Sequence, residues 1–265
     1  MNKKIEKAIR SEKWNTSTQE VVEALSFCVV IKRAKGKSSG HSYLGGKVEY
    51  GYRELGTFYL SEVAPFDYSN LLPKKGMLTF RAGECDYEGV VSYWPKEQDE
   101  ETGDTPDENE GVNSEDEDPN NEDYEDDFEE ELDPFKKVLV SFHPAYSIAE
   151  LNDADVKKLR KILKKIVPLA KPVWDFAGFY LPTMLLGDPD PVQGDVEEDW
   201  ESNSRMYMSK KTKKKSAPPR YRLLFQFAAG MISSEDWVGY FGIPQDALEK
   251  QKFDGKRIVY ASQGT

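Results

Sequence analysis

The sequence predicts an α+β protein with a duplicated, mostly antiparallel β core and flanking helices. Three observations predict it. Short runs rich in β-branched and aromatic residues recur between Gly and Pro turns. One amphipathic helical pattern stands out at residues 153–167. A Gly turn, an apolar strand and a Gly-led strand follow one another in the same order in both halves of the chain. The 265 residues are 38% hydrophobic and 12% aromatic, enough to build a sizeable core. A mean hydropathy of -0.69 and the lack of any long apolar run predict a soluble protein without a membrane span.

Taken in order, residues 2–13 and 17–33 read as helices. The second has Ser17 or Thr18 as N-cap and Glu20 or Glu23 in its first turn, and its β-branched end favours a strand finish. Strands are expected at 57–63, 77–80, 90–94 and 137–142. The 153–167 helix is capped by Asn152 or Asp153. It places Val156, Leu159, Ile162, Leu163 and Ile166 on one face and Lys157, Lys158, Arg160, Lys161, Lys164 and Lys165 elsewhere, and Pro168 stops it. Strands at 221–227, 238–243 and 257–261 follow, with a short helix over 244–250. The expected organisation is an N-terminal helical segment at 1–35 and one domain of two similar halves at 36–265.

The echo that predicts duplication pairs Tyr43-Leu44-Gly45-Gly46 with Leu185-Leu186-Gly187-Asp188. It also pairs Gly76-Met77-Leu78-Thr79-Phe80 with Gly239-Tyr240-Phe241-Gly242-Ile243. Two similar β units packed about an approximate two-fold would produce this order.

The net charge of -12 is the sum of two unlike parts. Residues 97–133 hold 21 Asp and Glu and no Lys or Arg, so the rest of the chain, with 27 acidic and 36 basic residues, carries +9. So dense a run of like charge cannot bury apolar surface, and it reads as a solvated insertion. It lacks the Gly of a calcium loop. The Lys-rich segment 209–220, with two prolines, reads as a loop of opposite sign.

Several chemistries are disfavoured. No phosphate loop, GxGxxG turn, GxSxG elbow or HExxH helix occurs, and Gly36-Lys37-Ser38 lacks the first Gly of a phosphate loop. Two Cys and two His would all be needed for one zinc site, so neither a metal nor a cofactor is expected. Cys28 sits in an apolar run and Cys85 among acids, so neither thiol looks activated. His143 is expected near a strand end in a structural role. The N-terminus has no apolar secretory core, and a cytoplasmic location is expected.

The densest polar cluster is Asp188-Pro189-Asp190-Pro191-Val192-Gln193-Gly194-Asp195. Proline-fixed φ angles, Asp caps and a permissive Gly suit a rigid corner. The same oxygens suit a partner contact or, less well, a cation or paired-carboxylate site.

These residues carry a resemblance. Leu186 to Glu197 is similar to the "LGYPDPIQGDM" signature, Arg222-Leu223-Leu224-Phe225-Gln226 to the "RLLLQ" strand, and Leu71 to Phe80 to the "LPKKGMLYFF" segment of the YwqG-like family, a bacterial domain of unknown function. The likeness spans most of residues 40–265 outside the acidic insertion. It implies a compact α+β fold with a duplicated β core and implies no catalysis. The chain departs from the family where Gly45-Gly46-Lys47-Val48 replaces "GGxP", and where Leu55 to Leu60 replaces "FLAQINL". Further departures are Phe227-Ala228-Ala229-Gly230 for the end of "LLLQIDSD" and Trp237 to Ile243 for "WGDCGRLYFWI". A site built on the first-half Gln or on the second-half acidic pair would therefore be absent.

The expected function is a non-enzymatic interaction module for a protein or peptide partner, in an adaptor or immunity-type role. Its candidate contacts are Asp188, Asp190, Gln193, Gly194, Asp195 and Gln226. The alternative is nucleic-acid association through Lys210, Lys211, Lys213, Lys214, Lys215 and Arg220 with the basic helix face, modulated by the acidic insertion. A more distant one is a chaperone-like shield for a basic client such as a ribosomal protein. No membrane partner is expected.

Overall fold

A computed structural model describes residues 3–35, 40–83, 87–96, 134–149, 151–175, 181–207 and 219–264. The acidic insertion at 97–133, the Lys-rich residues 208–218, Gly36-Lys37-Ser38 and Cys85 lie outside the described residues.

The apolar run after the first helical signals becomes the middle of a sheet. Ser17 caps α2 (Thr18–Glu23) with a reciprocal capping box to Glu20, and the chain then enters β1 (Leu25–Arg33). Residues 25–31 of β1 are all buried. A strand covered on both faces and flanked on both edges shows a continuous apolar run without alternation, which is why its sequence also fits a helix. The helix expected to continue to residue 33 is therefore corrected to a strand from Leu25.

Around β1 the described residues form an α+β fold with six helices and a large, mainly antiparallel sheet of twelve strands. On one side of the centre lie β2 (Tyr43–Leu44), β3 (Val48–Glu49), β4 (Tyr52–Tyr59), β5 (Met77–Ala82) and β6 (Gly89–Trp94). β7 (Val138–Ile148) and β8 (Lys171–Pro172) follow. On the other side lie β9 (Met184–Leu186), β10 (Tyr221–Ala228), β11 (Trp237–Pro244) and β12 (Val259–Gly264). β1 pairs with β7 from Leu25↔Ile148 to Arg33↔Val140, and the spatial order runs β12-β11-β10-β9-β1-β7-β2-β4-β5-β6. Among the described residues, β8 makes the one parallel pairing, with β7.

The two flanks share several register features. Thr57 pairs with Tyr43 and Thr79, as Gln226 pairs with Met184 and Tyr240. The register slips between Glu54 and Gly56 on β4 and at the equivalent step, between Leu223 and Phe225, on β10. After β2 come Gly45 (φ 76°) and Gly46 (φ 147°), and the last residue of β9, Leu186 (φ 62°), and Gly187 (φ 93°) hold the corresponding left-handed turn. The inner faces of the flanks pack together, with the rings of Phe80 and Phe225 4.5 Å apart and those of Phe58 and Phe225 5.2 Å apart. The two ends of the sheet also meet, for a Cβ on Gly89 of β6 would run into Tyr260 of β12.

Helices cover what the sheet leaves open. α1 (Lys3–Arg10) and α4 (Asp153–Ile166) bury Ile5, Ile9, Leu159 and Leu163 against Leu25, Phe27 and Tyr146. Asn152 caps α4, and the Asp155 carboxylate accepts from the backbone amides of Asn15 and Thr16, tying the N-terminal segment to this helix. α5 (Val196–Tyr207) covers the outer face of the second flank with Val196 and Trp200. It was not foreseen, because Val196 and Trp200 are set among Glu, Asp, Ser and Asn and give too sparse a stripe.

Other boundaries also move. The strand expected at 57–63 begins at Tyr52 and ends at Tyr59, and Leu60 and Val63 bury together on the short α3 (Leu60–Val63). The 137–142 strand runs on to Ile148 and places His143 within it. The 257–261 strand is displaced to Val259–Gly264 by a 3-10 turn at Gly255–Arg257. The helix expected over 244–250 is α6 (Gln245–Glu249), and Pro244, expected in its first turn, is instead its N-cap and the last residue of β11. No helix among the described residues is long and apolar enough to cross a membrane.

Candidate functional site

The corner leaving β9 is fixed by side chains from five strands. Its turn starts at Leu186 and Gly187, whose positive φ angles reverse the chain beside Cys28. The Asp188 carboxylate then accepts from Ser26 Oγ on β1 at 2.9 Å and Ser147 Oγ on β7 at 2.7 Å. Gln226, fully buried in β10, accepts the Asp190 amide at 3.0 Å through Oε1 and donates to the Pro182 carbonyl at 2.9 Å through Nε2. Gln263 in β12 accepts the amides of Val192 and Gln193 and donates to Asp199 on α5. Tyr240 donates its hydroxyl proton to the Asp190 carbonyl at 2.8 Å. Gly194 turns the chain at φ 86°, and Asp195 accepts the Glu197 amide at the start of α5.

The six expected contact residues thus fall into two groups. Asp188 and Gln226 spend their hydrogen-bonding groups inside the molecule. Asp190, Gln193, Gly194 and Asp195 are exposed and adjacent along the outer edge of the corner. Ser26, Ser147, Tyr240 and Gln263 were not foreseen as partners of the corner. The one sequence signal available for Gln263 was an amide following the apolar run Val259-Tyr260-Ala261. In the first flank, Thr57 stands at the register position of Gln226 and bonds Glu54 and Thr79 instead, so no second glutamine clamp exists there.

Beside the corner, β1, β9, β10 and the loop after α3 enclose a groove of about 110 Å³. Leu25, Phe27, Leu71, Leu186, Leu223 and Leu248 supply its apolar lining, and Ser26, Ser69 and Arg222 its polar one. Arg222 Nη2 lies 3.4 Å from Ser26 Oγ and 3.7 Å from Asp188 Oδ1. The guanidinium has five N–H donors, so most of them make no hydrogen bond among the described residues.

Burial shifts several titratable groups in and near the corner. Burial, with the Asp188 charge adding to it, pushes the Cys28 thiol well above the ordinary thiol range, so the sulfur stays protonated and inert. Burial also raises the Asp190 carboxyl, and burial followed by the Asp190 charge raises the Tyr240 hydroxyl. His143 is lowered by burial and then by Lys32 and Lys171, and it shares a 3.2 Å contact with Ser141 Oγ. Among the described residues, no three His, Cys, Asp or Glu converge in a way that could hold a metal ion. Of the expected polyanion contacts, Arg220 is described and lies exposed just before β10; Lys210, Lys211, Lys213, Lys214 and Lys215 lie outside the described residues.

No protein-family model matches the chain, and no curated protein matches it.

Proposed function

We propose that this chain is a non-enzymatic interaction module that holds a protein or peptide partner in the groove beside the Gln-Gly-Asp corner. The observation that carries this reading is the Arg222 guanidinium, which bonds Ser26 and pairs with Asp188 at the rim of a groove lined by both apolar and polar side chains. Such a setting suits a carboxylate set next to an apolar side chain, as at a peptide C-terminus or an acidic-hydrophobic motif. The exposed edge formed by Gln193, Gly194 and Asp195 offers polar contacts to the rest of the partner. An adaptor or immunity-type role fits such a surface.

The matching register of the two flanks, the shared position of the bulge and the paired left-handed turns support an origin by duplication. Together with the signature at 186–197, they favour a divergent member of the YwqG-like family. Thr57 in place of a glutamine clamp agrees with that divergence.

The test is selection of a random peptide library on the full chain, followed by titration of the recovered peptide. Arg222→Met keeps the side chain's length and removes its donors. Loss of one charge-assisted bond of about 2 kcal/mol should weaken binding roughly thirtyfold with little change in Tm. Recovery of no peptide, or equal affinity for both proteins, would refute the reading.

A further inference from the structure

A second surface lies on the far side of the N-terminal layer. α4 buries Leu159 and Leu163 and turns Lys157, Arg160, Lys161, Lys164 and Lys165 outward, all exposed. None of these five makes an ion pair among the described residues. Lys158, by contrast, is paired with Glu12 and stands over the Trp14 ring. From Val156 to Trp174 the sequence holds no Asp or Glu. Among the described residues, Glu12 pairs with Lys158, and Asp153, the internally bonded Asp155 and Asp175 are close in sequence. Lys157, Lys161, Lys164 and Lys165 follow helical spacing, so they form a stripe about 12 Å long.

An aromatic ring borders this stripe. Trp174 is 46% exposed, and the Arg160 guanidinium stands over its ring at 5.1 Å. A stripe of point charges beside an arginine-backed indole combines the two components of sequence-tolerant strand binding, phosphate attraction and base stacking. A duplex keeps its bases stacked internally and would use only the lysines. We therefore propose that the outward face of α4, with Trp174, binds single-stranded nucleic acid. This surface involves no residue of the Arg222 groove, so the two proposals stand or fall separately.

The experiment is fluorescence anisotropy of a labelled oligothymidylate of about 15 nucleotides with the full chain, over a salt series from about 20 to 200 mM. The expected result is binding whose log affinity falls linearly with log salt, by about 0.7 for each phosphate contacted. Replacing Lys157, Lys161, Lys164 and Lys165 together by Gln changes only exposed positions. It should reduce that slope by about 0.7 per lost contact. Trp174→Ala should weaken binding about tenfold with the slope unchanged. Leu169, 68% exposed shortly after α4, makes vesicles of phosphatidylglycerol the necessary comparison. The proposal is overturned by no binding of the oligonucleotide by the full chain, by an unchanged slope in the lysine variant, or by binding to vesicles without binding to oligonucleotide.

Discussion

Gly187 combines a φ of 93° with a site where an added Cβ would stand 2.8 Å from the Cβ of Cys28. Gly51, at φ 73°, has nothing within 4 Å of the same imagined atom. Replacing each by Ala separates backbone strain from collision. Gly51→Ala should cost about 1 kcal/mol, the left-handed penalty alone, and Gly187→Ala at least about 2 kcal/mol more, since the buried strand β1 must give way. Urea unfolding of the two variants measures the difference, and equal losses would show that β1 yields freely. At this scale the sequence was most legible where the residue type itself constrains the chain. The Pro-rich corner and the Gly194 turn stood out from their residue types, whereas Gln226 was marked only by the resemblance of its strand to "RLLLQ". The partners of the corner, Ser26 and Ser147 as donors to Asp188 and Gln263 as acceptor from Val192 and Gln193, are common residues far away in sequence, and only the sheet brings them to the corner.

Elements were legible where one face is wet. α4 has an apolar stripe, a polar cap at Asn152 and a stop at Pro168, and it lies where expected. β1 hid its type because both of its faces are dry, and α5 hid because its buried anchors Val196 and Trp200 are set among acidic and polar residues. The junction of α4 with the N-terminal segment has a consequence for acid stability. Burial raises the Asp155 carboxyl, but the amides of Asn15 and Thr16 and the side chains of Asn152 and Thr16 outweigh it and hold the pKa at about 2, below the ordinary 3.8. A carboxylate depressed on folding stabilises the native state fully above its unfolded value. That contribution disappears as the pH falls through the folded one. Unfolding measured between about pH 5 and pH 2 should therefore show stability falling below about pH 4, and Asp155→Asn should flatten that part of the curve. An identical acid limb in the variant would assign the fall to other carboxylates.

At the scale of the whole molecule, the sheet bends until its first and last edges touch, and a shared aromatic core fills the space between the flanks. Gly89 makes that approach possible, because a Cβ there would run into Tyr260 and stand 2.8 Å from the Phe241 ring. Gly89→Val should force β6 and β12 apart, cost about 2 to 3 kcal/mol and uncover strand edges prone to association. Chemical unfolding together with light scattering checks both effects, and a stable monomeric variant would contradict them. The echo in the sequence predicted the kind of sheet, but not the cross-connection at its centre. β1 precedes the first flank yet hydrogen-bonds β9 of the second, and β7 follows the first flank and hydrogen-bonds its β2. Periodicity reports which residues face inward and carries no signal for partners about 120 positions apart. This interlock also governs how the protein is born. When β1 leaves the ribosome, neither of its neighbours has been translated, and β2 waits likewise for β7. The nascent chain must therefore shelter one of its most water-averse segments until more than half of the polypeptide has emerged, which makes synthesis itself the stage at which this molecule is most exposed to misassembly.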